Sequence, residues 1–390
     1  MSCGHPRSLE HIIDACNTAR VDRIEKVVGK AGASLAKAYP SILWHDVVKL
    51  TLLGEPLPLS YQLPDSMETI ESLINQGVLL KSLSVEDDTD IKPLIPAILL
   101  YWWCQPPPRI RGKKAQPVPE VVAEETESDQ ILRKMRSYLH VMLTNNSPVP
   151  IKWETFHCNY EYLMRLLRGH NYDHKPLYEL YGRDQAFVNK THRSPATRHL
   201  VDGKATLTSL PYYRDTDIEL RPNLIYHPHR GANTAGWDML LIYEAFPSSN
   251  NTASDTAYTD RDCTQYLLPV FIQTRFSTNN VNAAITLQTI ESYQAHCRAF
   301  LKAHCTCAPG YQLIQPQEGN YDDHNSFVLV YISNLKHTGA ADTAVAQEVP
   351  ANVLVLLKED LSAMYGPTLA YYIDGANMLR DDVYVIGDDM

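Results

Sequence analysis

The sequence predicts a multidomain α+β protein, and three observations support that fold class. The chain has 390 residues, of which 44% are hydrophobic and 21% charged, which is ordinary for folded proteins. Apolar residues recur at three- and four-residue steps near the N-terminus and again after residue 130, as in amphipathic helices. The second half also contains apolar runs of strand length between polar loops. At this length we expect about two or three domains.

The first 104 residues predict helices followed by a short hairpin. Helical spacing extends over residues 8–39. A second helical run, 67–76, stops at Gly77, whose freedom to adopt a left-handed backbone suits a helix C-terminus. The strand-like run 78–83 follows it. Helix, helix and hairpin in this order are typical of a winged helix, which we place at residues 41–104.

Residues 105–129 break both patterns. The prolines at 106–108 favour a stiff extended segment, and residues 109–114 form a short basic run. An acidic run follows at 119–129. Because polar segments without periodicity are most often solvated connectors, we interpret 105–129 as a linker, with a nucleic-acid-binding arm as the alternative.

The remainder, residues 130–390, predicts a larger domain built around a sheet. Two helices come first, and a set of apolar strands with one long helix among them follows. A polar excursion at 247–264 is typical of a surface loop. The predicted helices are 131–143, 153–168, 283–304 and 360–365, and the predicted strands lie within 206–246 and at 267–276, 327–332, 353–357 and 369–373.

Composition and charge argue against several classes of protein. Eight cysteines are too few for a disulfide scaffold, and no charged start leads into an apolar leader run. The longest apolar stretch, 94–104, is about half the length that a membrane crossing needs. With 35 basic against 45 acidic residues the net charge is −10, which argues against a general nucleic-acid coat protein. We therefore expect a soluble intracellular protein with no membrane partner.

Common catalytic motifs are missing from the sequence. It contains no G-x-x-x-x-G-K-[ST] phosphate loop, no G-x-S-x-G elbow and no H-E-x-x-H. A group of potential zinc ligands lacks the C-x-x-C pair that such sites commonly use, and its adjacent members cannot easily converge on one ion. We favour a core role for its cysteines over a metal site. The group consists of His296, Cys297, His304, Cys305 and Cys307.

One constellation in the second half suggests chemistry on phosphate esters. Asp238 stands at the head of a predicted strand, and Gln273 and Arg275 lie two residues apart on the next strand. Alternation places residues 273 and 275 on the same face of a sheet. A carboxylate and an amide oxygen can hold Mg²⁺, and a neighbouring cation can stabilise charge on a phosphate. The alternative is that Gln273 and Arg275 are a solvated strand face and that Asp238 caps a turn.

A predicted helix offers a third oxygen ligand. Glu154 and Glu161 are seven residues apart and so share one helix face, and either could complete a metal site with Asp238 and Gln273.

Several basic side chains could contact a nucleic-acid backbone by neutralising phosphates. Solvated lysines and arginines are the alternative, which the net charge of −10 favours as strongly. The candidates are Arg165, Arg168, Lys190, Arg193 and Arg198, with Arg298 and Lys302 on the long predicted helix.

These elements together resemble a known superfamily. A helix with Glu, a strand with Asp, a strand with (E/Q)-x-K and a long helix follow one another in the PD-(D/E)XK restriction-endonuclease-like proteins. The segments Trp153-Glu-Thr-Phe-His-Cys-Asn-Tyr-Glu and Gly236-Trp-Asp, with the Ile272-Gln strand, are similar to the nuclease domain of Crinkler effectors and retrotransposon hot spot proteins. Gly4-His-Pro-Arg is similar to the helical lid of the P-loop NTPase domain that precedes that nuclease.

The resemblance implies a domain order and a fold. Residues 1–40 would be a remnant of the NTPase lid, 41–104 a winged-helix-like domain and 105–129 a linker. Residues 130–390 would form the nuclease-like α/β domain, a central mixed sheet flanked by helices. Since the phosphate-loop half of the NTPase is missing from the sequence, we expect no nucleotide cofactor.

The resemblance also implies a function, Mg²⁺- or Mn²⁺-dependent hydrolysis of DNA phosphodiesters. Asp238, Gln273 and Glu161 would ligate the metal, and Arg275 would stand where the family has a catalytic Lys. Arg keeps the positive charge but cannot serve as an adjustable base, so a weakened activity is expected. The alternative is an inactive nuclease-like protein that binds nucleic acid or protein partners. The family favours the nucleus over the cytoplasm.

Overall fold

The computed structural model describes part of the chain, in two compact units. One unit takes in the described residues up to Leu167 together with Tyr365, and the other takes in those from Arg168 to Met364. The described residues are 31–34, 44–53, 57–63, 67–81, 90–104, 126–144, 150–168, 175–181, 195, 199–201, 206–210, 217–228, 237–246, 265–275, 286–314, 326–333, 349–350, 352–357, 360–361 and 364–365.

The first unit is mainly helical, with two small antiparallel strand pairs. Its strands pair as β1 with β3 and β2 with β4. Its helices are α1 (Trp44–Leu53), α2 (Ile70–Gln76), α3 (Ala97–Cys104), α4 (Glu127–Thr144) and α5 (Pro150–Arg168), and its strands are β1 (Leu57–Pro58), β2 (Leu80–Lys81), β3 (Asp90–Ile91) and β4 (Pro93–Leu94).

Capping groups define both ends of α2, and the sequence predicts the C-terminal one, Gly77. Thr69 accepts a hydrogen bond from the Ser72 backbone nitrogen, which satisfies one of the free donors of the first turn. Gly77 ends the helix in the left-handed region at φ 82°, where a side chain would be strained.

Two contacts connect α1 with other helices of the first unit, α4 and α3. The Lys49 ammonium lies 2.6 Å from the Asp129 carboxylate, and Asp129 stands in the first turn of α4, where a negative charge favours the helix dipole. The rings of Trp44 and Trp102 meet edge to face at 5.3 Å and so connect α1 with α3.

The second unit is built on a mixed sheet with one long helix. Its helices are α6 (Leu177–Leu180) and α7 (Leu287–His304), and its strands are β5 (Leu200–Val201), β6 (Thr206–Leu210), β7 (Ile218–Leu220), β8 (Leu224–Pro228), β9 (Met239–Ala245), β10 (Gln265–Arg275), β11 (Cys305–Cys307), β12 (Tyr311–Leu313), β13 (Val328–Ser333) and β14 (Val353–Leu356).

Strand β10 is the centre of this sheet. Within the described residues the strand order is β14-β13-β10-β9-β8-β6, with β12 beside the first half of β10 and β5 beside the end of β9. β10 is antiparallel to β9 and parallel to β13, and β13 is parallel to β14. Parallel neighbours need a long crossover, and the chain between β10 and β13 contains α7.

An apolar cluster between the sheet and α7 forms the core of the second unit. Phe271 of β10 lies 5.5 Å from Trp237 and 5.6 Å from Phe327, each pair edge to face. α7 contributes Phe300 and the fully buried Cys297 to the same cluster. Residues of β10 are buried on both faces over its middle, from Leu267 to Ile272, which accounts for the continuous apolar run in the sequence.

The α+β class predicted from the sequence is confirmed, and so are the predicted helices at 131–143, 153–168 and 283–304, each within a few residues. Helices α1 and α3 were not predicted. The long helical run at 8–39 is described only at 31–34, which are helical, and the predicted strand 369–373 and most of the linker lie outside the described residues. None of the described helices is long and apolar enough to cross a membrane.

Phe271 gives a direct test of this core. Phe271→Ala should lower the free energy of unfolding by about 3–5 kcal/mol, because it leaves a cavity among three aromatic rings. Chemical denaturation followed by circular dichroism measures the change. Gln288→Ala, at an exposed position of α7, is the matched control and should change stability by less than about 0.5 kcal/mol. Equal losses in the two variants would contradict this account of the core.

Candidate functional site

Asp238 and Gln273 meet across two neighbouring antiparallel strands. In the ladder between β9 and β10, Met239 pairs with Ile272, so the residue before Met239 comes opposite the residue after Ile272. The Asp238 backbone nitrogen extends this pairing by donating to the Ile272 carbonyl at 2.8 Å. The register therefore places the Asp238 side chain beside Gln273.

The Asp238 carboxylate is held by three hydrogen bonds to one oxygen. Oδ2 accepts from Gln273 Nε2 at 2.9 Å, from the Thr274 backbone nitrogen at 2.6 Å and from Thr274 Oγ1 at 2.8 Å. Asp238 is half-buried, and Thr274 is buried. Hydrogen bonds to an ionised acceptor are about twice as strong as neutral ones, so this carboxylate has a fixed position.

The orientation of the Gln273 amide follows from its neighbour. An ionised carboxylate can only accept, so the amide nitrogen faces Asp238, and the same nitrogen also donates to the Thr274 carbonyl at 3.1 Å. The amide oxygen, which is the only amide atom that could act as a Mg²⁺ ligand, is the other terminus of the group. A cation shared by Asp238 and Gln273 would require this amide to turn.

Arg275 ends β10 on the same face as Gln273. In the parallel ladder between β10 and β13, Gln273 lies opposite Tyr331 and Arg275 lies opposite Ser333. Arg275 is exposed, whereas Tyr331 and Ser333 are fully buried. A positive charge thus stands at the solvent edge of a buried polar row.

Two tyrosines, which sequence reasoning missed, lie within electrostatic reach of this row. The rings of Tyr331 and Tyr293, the latter on α7, stack with centroids 6.0 Å apart. Burial raises the pKa of Tyr331 to about 12, and the nearby Arg275 charge offsets part of that rise. Burial also raises the pKa of Tyr293, with Arg275 opposing and Asp238 adding to the effect. Both phenols are therefore neutral at physiological pH.

Glu161, the predicted third ligand, lies on α5 in the first unit and has a partner there. Its carboxylate Oε1 is 3.5 Å from His157 Nε2, one helical turn away, and His157 Nδ1 is 2.8 Å from the Tyr365 hydroxyl. Glu161 is only 8% exposed and His157 is fully buried. Burial lowers the pKa of His157 to about 3, so its imidazole is neutral.

The imidazole of His157 has different surroundings at its two nitrogens. Nδ1 is hydrogen-bonded to the Tyr365 hydroxyl, with the donor set by the imidazole tautomer, whereas Nε2 lies near Glu161 without a hydrogen bond of standard geometry among the described residues. Aromatic rings close the cluster from water: Tyr160 lies 4.8 Å and Phe156 6.2 Å from the Tyr365 ring. Burial raises the pKa of the neighbouring Cys158 thiol to about 12.

The other predicted residues have varied surroundings. Glu154 is half-buried, and burial raises the pKa of its carboxyl. Arg165 is only 6% exposed, so a phosphate contact would require its side chain to leave that position. Arg168 ends α5, Arg298 is half-buried with Nε 3.4 Å from the Gln294 carbonyl, and Lys302 is exposed. Lys190, Arg193 and Arg198 lie outside the described residues.

The side-chain oxygens of Asp238 and Gln273 are of the type that Mg²⁺ prefers, since this ion binds carboxylate and carbonyl oxygens and keeps several waters. Among the residues that the structure describes, no three His, Cys, Asp or Glu side chains come together to hold a metal ion. In the cysteine and histidine group, Cys297 belongs to the core, and Cys305 and Cys307 are half-buried on β11.

Comparison of the chain with protein-family models, with curated proteins and with solved structures finds no match.

The buried His157 predicts a pH dependence of stability. Its pKa is about 3 in the folded chain and about 6.5 when unfolded, so the unfolded state binds the extra proton. The free energy of unfolding should therefore fall as the pH drops below about 6.5, by about 1.4 kcal/mol per pH unit from this residue. His157→Gln should remove that slope, as measured by denaturation between pH 7 and pH 5.

His296→Gln, at an exposed position of α7, is the control and should keep the wild-type profile. A His157→Gln profile as steep as the wild type would contradict a buried neutral imidazole.

Proposed function

We propose that the second unit belongs to a divergent PD-(D/E)XK nuclease-like domain that hydrolyses DNA phosphodiesters with Mg²⁺ or Mn²⁺, at a reduced rate. The observation that supports this is the contact of Gln273 with Asp238 across β9 and β10, with Arg275 on the same face of β10. The winged-helix-like region, the NTPase-lid remnant and the domain boundaries predicted from the sequence are parts of the same proposal, as is a nuclear location.

The roles of the residues follow from their atoms. A bound Mg²⁺ would activate water and offset charge on the phosphate. Asp238 would hold the ion through its carboxylate, and Gln273 would add its amide oxygen after turning. Glu161 stays in this proposal as the third ligand named by the sequence, and in the structure its carboxylate lies beside His157. Arg275 would face the phosphate and stabilise the charge that develops there, but it would not exchange a proton.

One observation favours a second candidate, a binding protein without catalysis. The Asp238 oxygen Oδ2 already accepts three hydrogen bonds from the protein. These donors partly neutralise the negative charge that would otherwise attract a metal ion. A domain of this kind could keep Arg275 as a contact for nucleic acid or an acidic protein partner while its metal site decays.

Asp238→Ala tests whether the Asp238 carboxylate is a metal ligand. It should abolish plasmid cleavage in Mg²⁺ and abolish Mg²⁺ binding measured by titration calorimetry, because it removes the charged ligand. Thr274→Ala is the matched control: it removes one hydrogen bond to the same oxygen but leaves the carboxylate, so cleavage should persist within about tenfold. If Asp238→Ala cleaves the plasmid as fast as the wild type, Asp238 is not a catalytic metal ligand.

Arg275→Lys distinguishes the two candidates. If the chain is a weakened nuclease, Lys should raise plasmid cleavage by about 10²-fold or more, because a Lys ammonium keeps the positive charge and can also exchange a proton, which Arg cannot. Arg275→Ala should lower cleavage instead. If neither the wild type nor Arg275→Lys binds Mg²⁺ or cleaves, the non-catalytic candidate is the better account.

A further inference from the structure

We infer that Tyr331 is a positioning residue for Arg275, which it holds toward a backbone phosphate at the carboxyl end of β10. The inference rests on the proposed function and deepens it, because it says which protein group directs the arginine. It assigns a role to a residue that the sequence alone presents as part of an apolar strand.

The register of β10 and β13 brings the two residues to the same face of the sheet. Tyr331 lies opposite Gln273, and Arg275 is two residues further along, opposite Ser333. Since side chains alternate along a strand, Gln273, Arg275 and Tyr331 all point toward the side that α7 covers. The half-buried Tyr293 of α7 stacks on the Tyr331 ring at an interplanar angle of 29° and limits its movement.

The Tyr331 hydroxyl needs a partner. The residue is fully buried, and its oxygen makes no hydrogen bond of standard geometry within the described residues. A buried hydroxyl without a partner is costly, so a nearby donor is drawn to it. Arg275 lies on the same face of the sheet, two residues beyond the strand partner of Tyr331. Its charge opposes the effect of burial on the pKa of that hydroxyl.

Because the guanidinium is planar and rigid, a contact of one N–H with Tyr331 fixes the orientation of the whole group. Arg carries five N–H donors in one rigid plane and accepts nothing, so the phenol oxygen can receive one of them. Once one N–H is placed on Tyr331, the plane fixes where the remaining donors point. A phosphate group could then accept two parallel hydrogen bonds from one edge of the guanidinium, an arrangement that a Lys ammonium does not offer.

The test measures whether Tyr331 acts through Arg275. The probe is a short fluorescent single-stranded DNA oligonucleotide, bound in EDTA at several salt concentrations by the wild type, Tyr331→Phe, Arg275→Ala and the double variant. Arg275→Ala should reduce the slope of log affinity against log salt by about 0.7, the value of one phosphate contact on single strands. Tyr331→Phe should weaken binding about threefold to tenfold and reduce the slope in the same direction. Adding it to Arg275→Ala should change nothing further.

The matched control is Tyr226→Phe. Tyr226 belongs to the same core, and its hydroxyl donates to the Glu219 carbonyl at 3.0 Å, away from Arg275. Removing that hydroxyl should leave both affinity and salt slope unchanged. Independent, additive losses in the double variant, a loss of the same size in Tyr226→Phe, or absence of oligonucleotide binding by the wild type would each overturn the inference.

A measurement on the unsubstituted chain covers the case in which Tyr331→Phe does not fold. The nuclear magnetic resonance signal of the Arg275 guanidinium, assigned with Arg275→Lys, should show slowed rotation and exchange if one N–H is held by Tyr331. Free rotation would overturn the inference.

The experiment also separates this inference from the proposed function. Binding in EDTA requires no metal and no cleavage. Coupling between positions 275 and 331 without cleavage in Mg²⁺ would remove the nuclease proposal and leave the positioning role. Cleavage in Mg²⁺ without coupling between positions 275 and 331 would support the nuclease proposal and overturn the positioning role of Tyr331.

Discussion

The antiparallel pairing of β9 with β10 is the constraint on which the rest of the second unit depends. β10 is buried on both faces and lies between β9 and β13, so its register is set by apolar side chains on both sides. A slip of one residue would turn every side chain to the opposite face. Asp238 would then no longer face Gln273, and Arg275 would leave the side of Tyr331. The apolar core therefore determines the geometry of the polar cluster at its end.

This cluster places two demands on a single carboxylate. Three donors hold Asp238 through one oxygen, and each of these hydrogen bonds is stronger when the carboxyl group is ionised. A cation would also be stabilised by the negative charge of Asp238. Its binding through the Gln273 oxygen would require the Gln273 amide to turn, and this amide donates two of the cluster's hydrogen bonds. Under the proposed function, stability of the strand end and affinity for a metal would compete for the same group. Such competition is one physical route by which a metal site weakens while its fold is retained.

Local patterns in the sequence predict some of these features and not others. The Gly77 cap of α2 and the apolar strands β9, β10 and β13 are local features and were predicted. Helix α3 was missed because its residues are apolar on all sides and show no helical period. The order of motifs indicated Asp238 and Gln273, but Tyr293, Tyr331 and the His157–Tyr365 pair depend on contacts between distant residues. His157 and Tyr365 are 208 positions apart, and no spacing rule connects them.

Access to solvent distinguishes the two polar clusters as places for chemistry. The His157 cluster is enclosed by aromatic rings, and its neutral imidazole reflects the exclusion of water, which suits a group that stabilises packing. The cluster at Asp238 is different, because it grades from the buried Tyr331 through half-buried Asp238 and Gln273 to the exposed Arg275. The proposed reaction on a polymeric phosphate would need a charged group that the substrate can reach and a fixed partner behind it. Arg275 and the residues behind it at the end of β10 are of this kind, whereas Glu161 is buried beside His157.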